Sequence, residues 1–167
     1  MQISYRQAHP EQYNLGLQLL KEAVIAIRII GLDQWSIWLD HTDEQKIWVE
    51  DGFNNQEFYF IENTGGGNVG MLRLSNQDLL YWGAMEENVL YLHSLIIKQE
   101  FSGKQLGEKV ISLIEASLVK QGNQLLRLDC KASNQWLCAY YERLGFVKVG
   151  QVQMPHALNN LYEKRLG

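Results

Sequence analysis

Hydrophobic positions change period several times along the chain, and those changes divide it into elements. Ile3 to Ala8 alternates as a short opening strand. Pro10 suits the first turn of a helix, and Leu15, Leu19, Ala23 and Ile27 follow at steps of four, which places them on one amphipathic face that ends near Gly31. A second helix starts at Thr42, where Thr42 and Gln45 make a capping-box pattern, and it closes at Gly52 and the Asn54-Asn55 pair. The aromatic and β-branched run from Glu57 to Ile61 reads as a strand, and Val69 to Leu74 returns as its hairpin partner. Leu79 to Trp82 and Val89 to Ile97 read as further strands.

Beyond Ile97 the period becomes helical. Leu106, Val110, Ile114 and Leu118 share one face, and Gly122 ends that helix. Leu125 to Asp129 is a strand, and Leu137, Tyr140, Tyr141 and Leu144 form a last helical face closed by Gly145. Val147 to Val152 and Leu161 to Leu166 finish as strands. The order βααβββ(β)αβαββ, without repeats or linkers, predicts one α/β domain with a mixed sheet over residues 1–167.

Composition narrows the class. Of 167 residues, 46% are hydrophobic and 11% aromatic, enough for a core and too many for a disordered chain. With 15 Lys+Arg against 19 Asp+Glu the net charge is −4, which argues against a polyanion binder or an anionic membrane surface. A small anion held at one basic spot remains compatible. The first residues show no signal-peptide pattern, and no apolar run approaches the ~18 residues of a membrane span. Cys130 and Cys138 match neither a redox CxxC nor a metal cluster, so reduced thiols, no metal and a cytoplasmic protein are expected.

Two glycine-rich loops invite a phosphate reading. Thr64-Gly65-Gly66-Gly67-Asn68 is followed by no helix and no Lys-Ser/Thr pair, so it reads as a hairpin turn. The stretch from Leu92 to Lys109 is different: an apolar strand, a loop with Gly103 and Gly107, then a helix. There the first-turn N–H groups and the helix dipole face the loop, and Lys98, Lys104 and Lys109 add local positive charge. A plain turn with a tight helix start is the alternative.

A second motif weighs on that choice. Asn134 stands seven residues before Tyr141, and Leu144-Gly145-Phe146 follows. This segment resembles the "N…YeklGF" segment of the GNAT family of N-acetyltransferases, and the upstream loop resembles that family's pyrophosphate loop, Q/R-x-x-G-x-G/A. The opening segment and Gly31 to Trp35 also look like small bacterial members, so the likeness covers nearly the whole chain. One departure is evident: Ser102 stands at the Q/R position and Gln105 at the first glycine. The backbone donors survive it, because any non-proline residue supplies an N–H.

The resemblance implies an α+β fold, with a mixed, mostly antiparallel sheet flanked by about four helices and splayed at the cofactor site. It further implies acetyl transfer from acetyl-CoA to a primary amine of a small molecule, peptide N-terminus or lysine, by direct attack in a ternary complex. A non-catalytic acyl-CoA sensor or interaction domain of the same fold is the alternative. Leu95, Ile96 and Ile97 would offer backbone to the pantetheine and thioester, and Ser102, Gly103, Lys104, Gln105, Leu106 and Gly107 would cradle the pyrophosphate. Asn134 would bond the amide-rich arm or cap the last helix, two compatible roles. Tyr141 would be the general acid toward the thiolate, with Tyr140 as fallback, or simply a core aromatic.

His93 is the candidate general base, with a structural histidine, a water chain, Glu86 and Glu87 as alternatives. Asp33, Trp35, Trp38 and His41 form a polar-aromatic patch suited to an amine, or equally to core packing. A homodimer through the C-terminal strands is compatible with the sequence.

Overall fold

The computed structural model describes residues 1–32, 39, 42–84 and 86–167. Its elements are β1 (Ile3–Gln7), α1 (Tyr13–Ile29), α2 (Asp43–Asn54), β2 (Phe58–Asn63), β3 (Asn68–Ser75), β4 (Val89–Ile97), α3 (Leu106–Lys120), β5 (Leu125–Lys131), α4 (Gln135–Arg143), β6 (Val147–Gln153) and β7 (Leu158–Arg165). The strands form a seven-stranded sheet in the order β1-β2-β3-β4-β5-β7-β6. β4 and β5 run parallel, while the pairs β1–β2, β2–β3, β5–β7 and β6–β7 are antiparallel. The expected element order holds, except for one strand.

Leu79 to Trp82 is a turn and not a strand. Asp78 holds it: its Oδ1 accepts the Tyr81 N–H at 3.1 Å, and its carbonyl accepts that of Trp82 at 2.9 Å. Leu79 and Leu80 consequently face solvent, at 61% and 71% exposure. The apolar run that suggested a strand has no sheet to enter.

Two compact units make up the chain, each from two stretches: Met1–Leu74 with Ser94–Ile111, and Ser75–His93 with Ser112–Gly167. The first has its core where α1 and α2 meet β2 and β3: Leu19, Leu20, Val49, Phe53, Phe58, Phe60, Met71 and Ile96 are all buried. Gly16 and Gly52 sit where a Cβ would enter the rings of Phe53 and Phe58, so their lack of a side chain is what lets the helices close. The predicted capping box forms, with Thr42 Oγ1 accepting from Gln45 N at 3.3 Å and Gln45 Oε1 from Thr42 N at 2.9 Å. In the triple-glycine hairpin, Asn63 Oδ1 accepts from Gly65 N and Gly67 N, both at 3.0 Å. A carboxamide thus occupies the concavity an anion would need, and the plain-turn reading stands.

In the second unit, β5 is central, lying between the first residues of β4 and the whole of β7. Tyr91, Leu126, Leu128, Phe146 and Tyr162 are buried, as are Ile114 and Leu118 of α3. Arg127, only 8% exposed, is charged and lies in this interior strand. Its Nε bonds Glu163 at 2.8 Å, its Nη1 bonds Glu86 at 2.9 Å and the Tyr91 hydroxyl at 3.2 Å, and its guanidinium stacks over Trp82 at 4.6 Å. A buried guanidinium persists only with such full pairing. The pairing also ties the segment before β4 to the sheet. Among the described residues no helix is long and apolar enough to cross a membrane.

Candidate active site

β4 carries most of the candidate chemistry, and its backbone is irregular where that chemistry begins. Val89, Tyr91 and Leu92 are buried, and further along only Ile96 is. Ser94 lies between them with φ +50°, a left-handed conformation that is strained for a residue with a Cβ. The ladder with β5 covers only Val89↔Leu125, Leu90↔Leu126 and Tyr91↔Arg127, so Leu95, Ile96 and Ile97 lie beyond its last pair. In the first unit this part of β4 runs close to β3: Lys98 N donates to Val69 O at 2.9 Å, and a Cβ on Gly70 would run into the Ile96 carbonyl.

β4 then feeds the loop selected from the sequence. Gln99–Phe101 forms a 3-10 turn, after which Gly103 adopts φ +74° and Gln105 φ +56°. Gln105 occupies the position where the resemblance places the motif's first glycine, and it adopts the backbone that favours glycine. The first helical bond of α3 runs from Lys109 N to Gln105 O at 3.3 Å, so the N–H groups of Leu106, Gly107 and Glu108 stand ahead of it. Ser102, Gly103, Lys104 and Gln105 are exposed, Gly107 is half-buried, and the Leu106 side chain is in the core. Lys104 Nζ lies 5.2 Å above the Phe101 ring. An exposed helix start with a left-handed approach and lysines nearby fits a compact anion.

The second unit holds the remaining candidates. Asn134 is the N-cap of α4, its Oδ1 accepting from Leu137 N at 3.1 Å, so the capping reading is correct. Tyr141 is half-buried, its ring edge-on to Phe146 at 5.7 Å and near Tyr162 at 6.4 Å. Burial, reinforced by Cys130, Tyr140 and Asp129, pushes its phenol far above the ordinary value, so it keeps its proton. Tyr140 is stacked on the largely exposed Trp136 instead, at 5.6 Å. Cys130 and Cys138 are free, buried thiols with sulfurs 3.6 Å apart, and burial raises the Cys130 thiol, the opposite of an activated nucleophile.

His93 sits among acids that the sequence reading missed. Its Nε2 is 3.7 Å from Asp78 Oδ2, an ion-pair distance rather than a hydrogen bond. Asp78, His93 and Asp129 each present one ligating atom, all within 4.8 Å of one another, a spacing that suits a single cation, metal or ammonium. Asp129 accepts from Asn159 Nδ2 at 2.6 Å, yet burial, and then the negative charge of Asp78, raise its carboxyl to about 6. Burial with Asp129 and Asp78 likewise lifts the Tyr81 phenol to about 12. By contrast Glu86, an alternative base, is spent on Arg127, which holds its carboxyl below the usual range. A signal for Asp129 was present, since an acidic side chain set between Leu128 and Cys130 in an interior strand needs a reason. Asp78 lay hidden in a polar turn. Asp33, Trp35, Trp38 and His41 lie outside the described residues.

The raised acidity of Asp129 has a stability consequence with a definite sign. The folded state binds this proton more tightly than the unfolded chain, so ionising Asp129 opposes folding. The cost grows as pH rises from about 4 toward 6 and is complete above, where a shift from 3.8 to about 6 corresponds to about 3 kcal/mol. Asp129→Asn is therefore expected to raise Tm at pH 8 by roughly 6–12 °C, and the gain should shrink steadily as pH falls through 6. Thermal unfolding across that range checks it; a lowered Tm at pH 8 would contradict the assignment.

Comparison with known proteins agrees with this fold. The Listeria monocytogenes 4b F2365 GNAT-family acetyltransferase superposes with a TM-score of 0.78 at 26% identity, covering 98% of this chain and 95% of that one. The PaiA N-acetyltransferase of Thermoplasma acidophilum, solved in complex with coenzyme A, has the same fold: TM-score 0.68, 17% identity, 99% of each chain. A Bacillus subtilis (strain 168) protein named Uncharacterized N-acetyltransferase YesJ is 31% identical over 145 residues, 84% of this chain and 77% of its own. The model of the acetyltransferase (GNAT) family matches residues 25–146, from within α1 to the Phe146 that follows α4. The chain thus belongs to the GNAT family and is an N-acetyltransferase.

Proposed function

We propose that the protein moves the acetyl group of acetyl-CoA to a primary amine, with His93 taking the amine's proton and Tyr141 supplying one to the leaving thiolate. The observation that carries this reading is the order of parts along one strand and its loop. His93 with Asp78 beside it comes first, then the left-handed Ser94, then the Gly103–Gln105 approach to α3. That PaiA of the same fold was solved with coenzyme A supports the choice of co-substrate. Acetyl-CoA supplies an activated carbonyl on a good leaving group.

Each further role follows from the chain. The N–H groups of residues 102–107 would receive the pyrophosphate, with Lys98 and Lys104 as counter-charges. The backbone of Leu95, Ile96 and Ile97, past the last pair with β5, would bond the pantetheine and the thioester oxygen. Asn134 would help only through atoms other than its capping Oδ1. The amine arrives mostly protonated, so a base must make it nucleophilic. A neutral His93 can do so and hold the proton against Asp78. Tyr141, protonated at every working pH, can donate once the C–S bond breaks.

Thermal shift combined with thiol release tests the reading. At acetyl-CoA about 100-fold above Kd, stabilisation of about 2.7 kcal/mol should raise Tm by several degrees, with CoA giving a similar rise. Addition of primary amines should then release free thiol in proportion to acetylated product. No stabilisation by either CoA species would defeat the proposal. Stabilisation with no thiol release from any amine would leave a protein that only binds the cofactor.

A further inference from the structure

The second unit contains a cluster of two carboxylates and an imidazole whose composition says more about the acceptor than that it is an amine. Asp78 and Asp129 bring carboxylate oxygens within 4.8 Å of each other and of a His93 ring nitrogen. Asn159, nine-tenths buried, has its amide seated on Asp129 through Nδ2, while its Oδ1 has no hydrogen-bond partner among the described residues. A buried acceptor oxygen without a donor costs free energy unless a ligand supplies one. An alkylammonium has three N–H donors, and here two carboxylates, one of them bonded to the Asn159 amide, gather beside the base that must deprotonate it.

We propose that Asp78, Asp129 and Asn159 seat the acceptor nitrogen beside His93 and restrict acceptors to primary amines with no carboxylate on the neighbouring carbon. This rests on the acetyl-transfer reading above. In an α-amino acid the carboxylate is two bonds from the nitrogen. Seating that nitrogen brings a third carboxylate against two others in a poorly solvated place, where like charges repel strongly. A cation could rescue such a substrate, but the nearby ones on β5 are occupied. Arg127 is held by Glu86 and Glu163, and Lys131 is engaged as well. Amine-bearing chains whose neighbouring carbon carries an amide, an ester or hydrogen bring no such charge. Peptide N-termini, lysine side chains and alkyl amines belong to this admitted class.

Matched acceptors test the restriction: tyramine, tyrosine amide and tyrosine, alongside agmatine, arginine amide and arginine, each assayed with acetyl-CoA by thiol release. Amide and acid have nearly the same size, so their ratio isolates the charge. The kcat/KM of the amides should exceed that of the acids at least 30-fold, and Asp129→Asn should narrow the ratio below about 5-fold by admitting the acids. Asp129→Asn is expected to fold stably, so a narrowed ratio is not a sign of damage. Equal rates for amide and acid in the wild type overturn the restriction while leaving acetyl transfer intact. If no amine of either series reacts, tyramine is titrated into the CoA-loaded protein and the His93 ring resonances are followed by NMR. A shift with tyramine but not tyrosine supports the seat. No shift with either overturns it.

Discussion

Tyr141→Phe should lower kcat for amine acetylation by about 100-fold and leave acetyl-CoA binding unchanged. The substitution removes one oxygen and keeps the ring that packs edge-on against Phe146 and beside Tyr162, so the helix and its neighbours stay in place. The lost step is proton delivery to the departing thiolate, which then leaves unassisted. Burial keeps the Tyr141 phenol protonated well beyond neutrality, so wild-type activity should show no alkaline decline from this group across the usual assay range. Thiol-release kinetics with a fixed good acceptor, together with the acetyl-CoA thermal shift, separate chemistry from binding. An unchanged kcat would make Tyr141 a packing residue only.

His93→Gln should cost a comparable factor, on the order of 100-fold in kcat/KM near neutral pH, but with a different pH signature. Without the imidazole only the small unprotonated fraction of the amine in solution can attack. The deficit should therefore shrink as pH rises toward the amine's own pKa, at up to tenfold per unit. Wild-type rates should rise more gently over the same interval, because the enzyme deprotonates its bound amine. Profiles from pH 6.5 to 9.5 for the two proteins settle this. Parallel profiles would place the proton on a water chain instead, and the acidic residues beside His93 would then act only in binding.

Much of this was legible before any coordinates, for physical reasons that also explain the failures. Leu106, Val110, Ile114 and Leu118 announced α3 because each is buried, and burial enforces the helical period. Thr42 and Gln45 announced α2 because their hydrogen bonds are local. Leu79 to Trp82 deceived because strand propensity describes fitness for a pleated surface, and no partner strand receives these residues. The glycine loop before α3 was visible as spacing, yet the left-handed Gln105 was not, since nothing in glutamine itself predicts such a backbone. Asp78 and Asp129 could not be joined to His93 from sequence. They come from a turn, a strand and another strand, and only the fold sets them within one cation's reach.

The interleaving of the two units fixes the order in which a nascent chain can complete them. Each unit needs both a segment before and a segment after a crossing of the chain, with β4 divided at His93 and Ser94 and α3 at Ile111 and Ser112. Residues 1–74 alone therefore lack the stretch from Ser94 to Ile111, including Ile96, which belongs to their core. Synthesis at about 5–20 residues per second leaves that first portion waiting for seconds with apolar surface uncovered. No single cut in the gene separates the units, so fragments made by truncation would each carry an unfinished core. Exchange of whole functional halves with a relative would have to respect two crossings, and loop tips outside β4 and α3 are the places where this chain can be opened or lengthened.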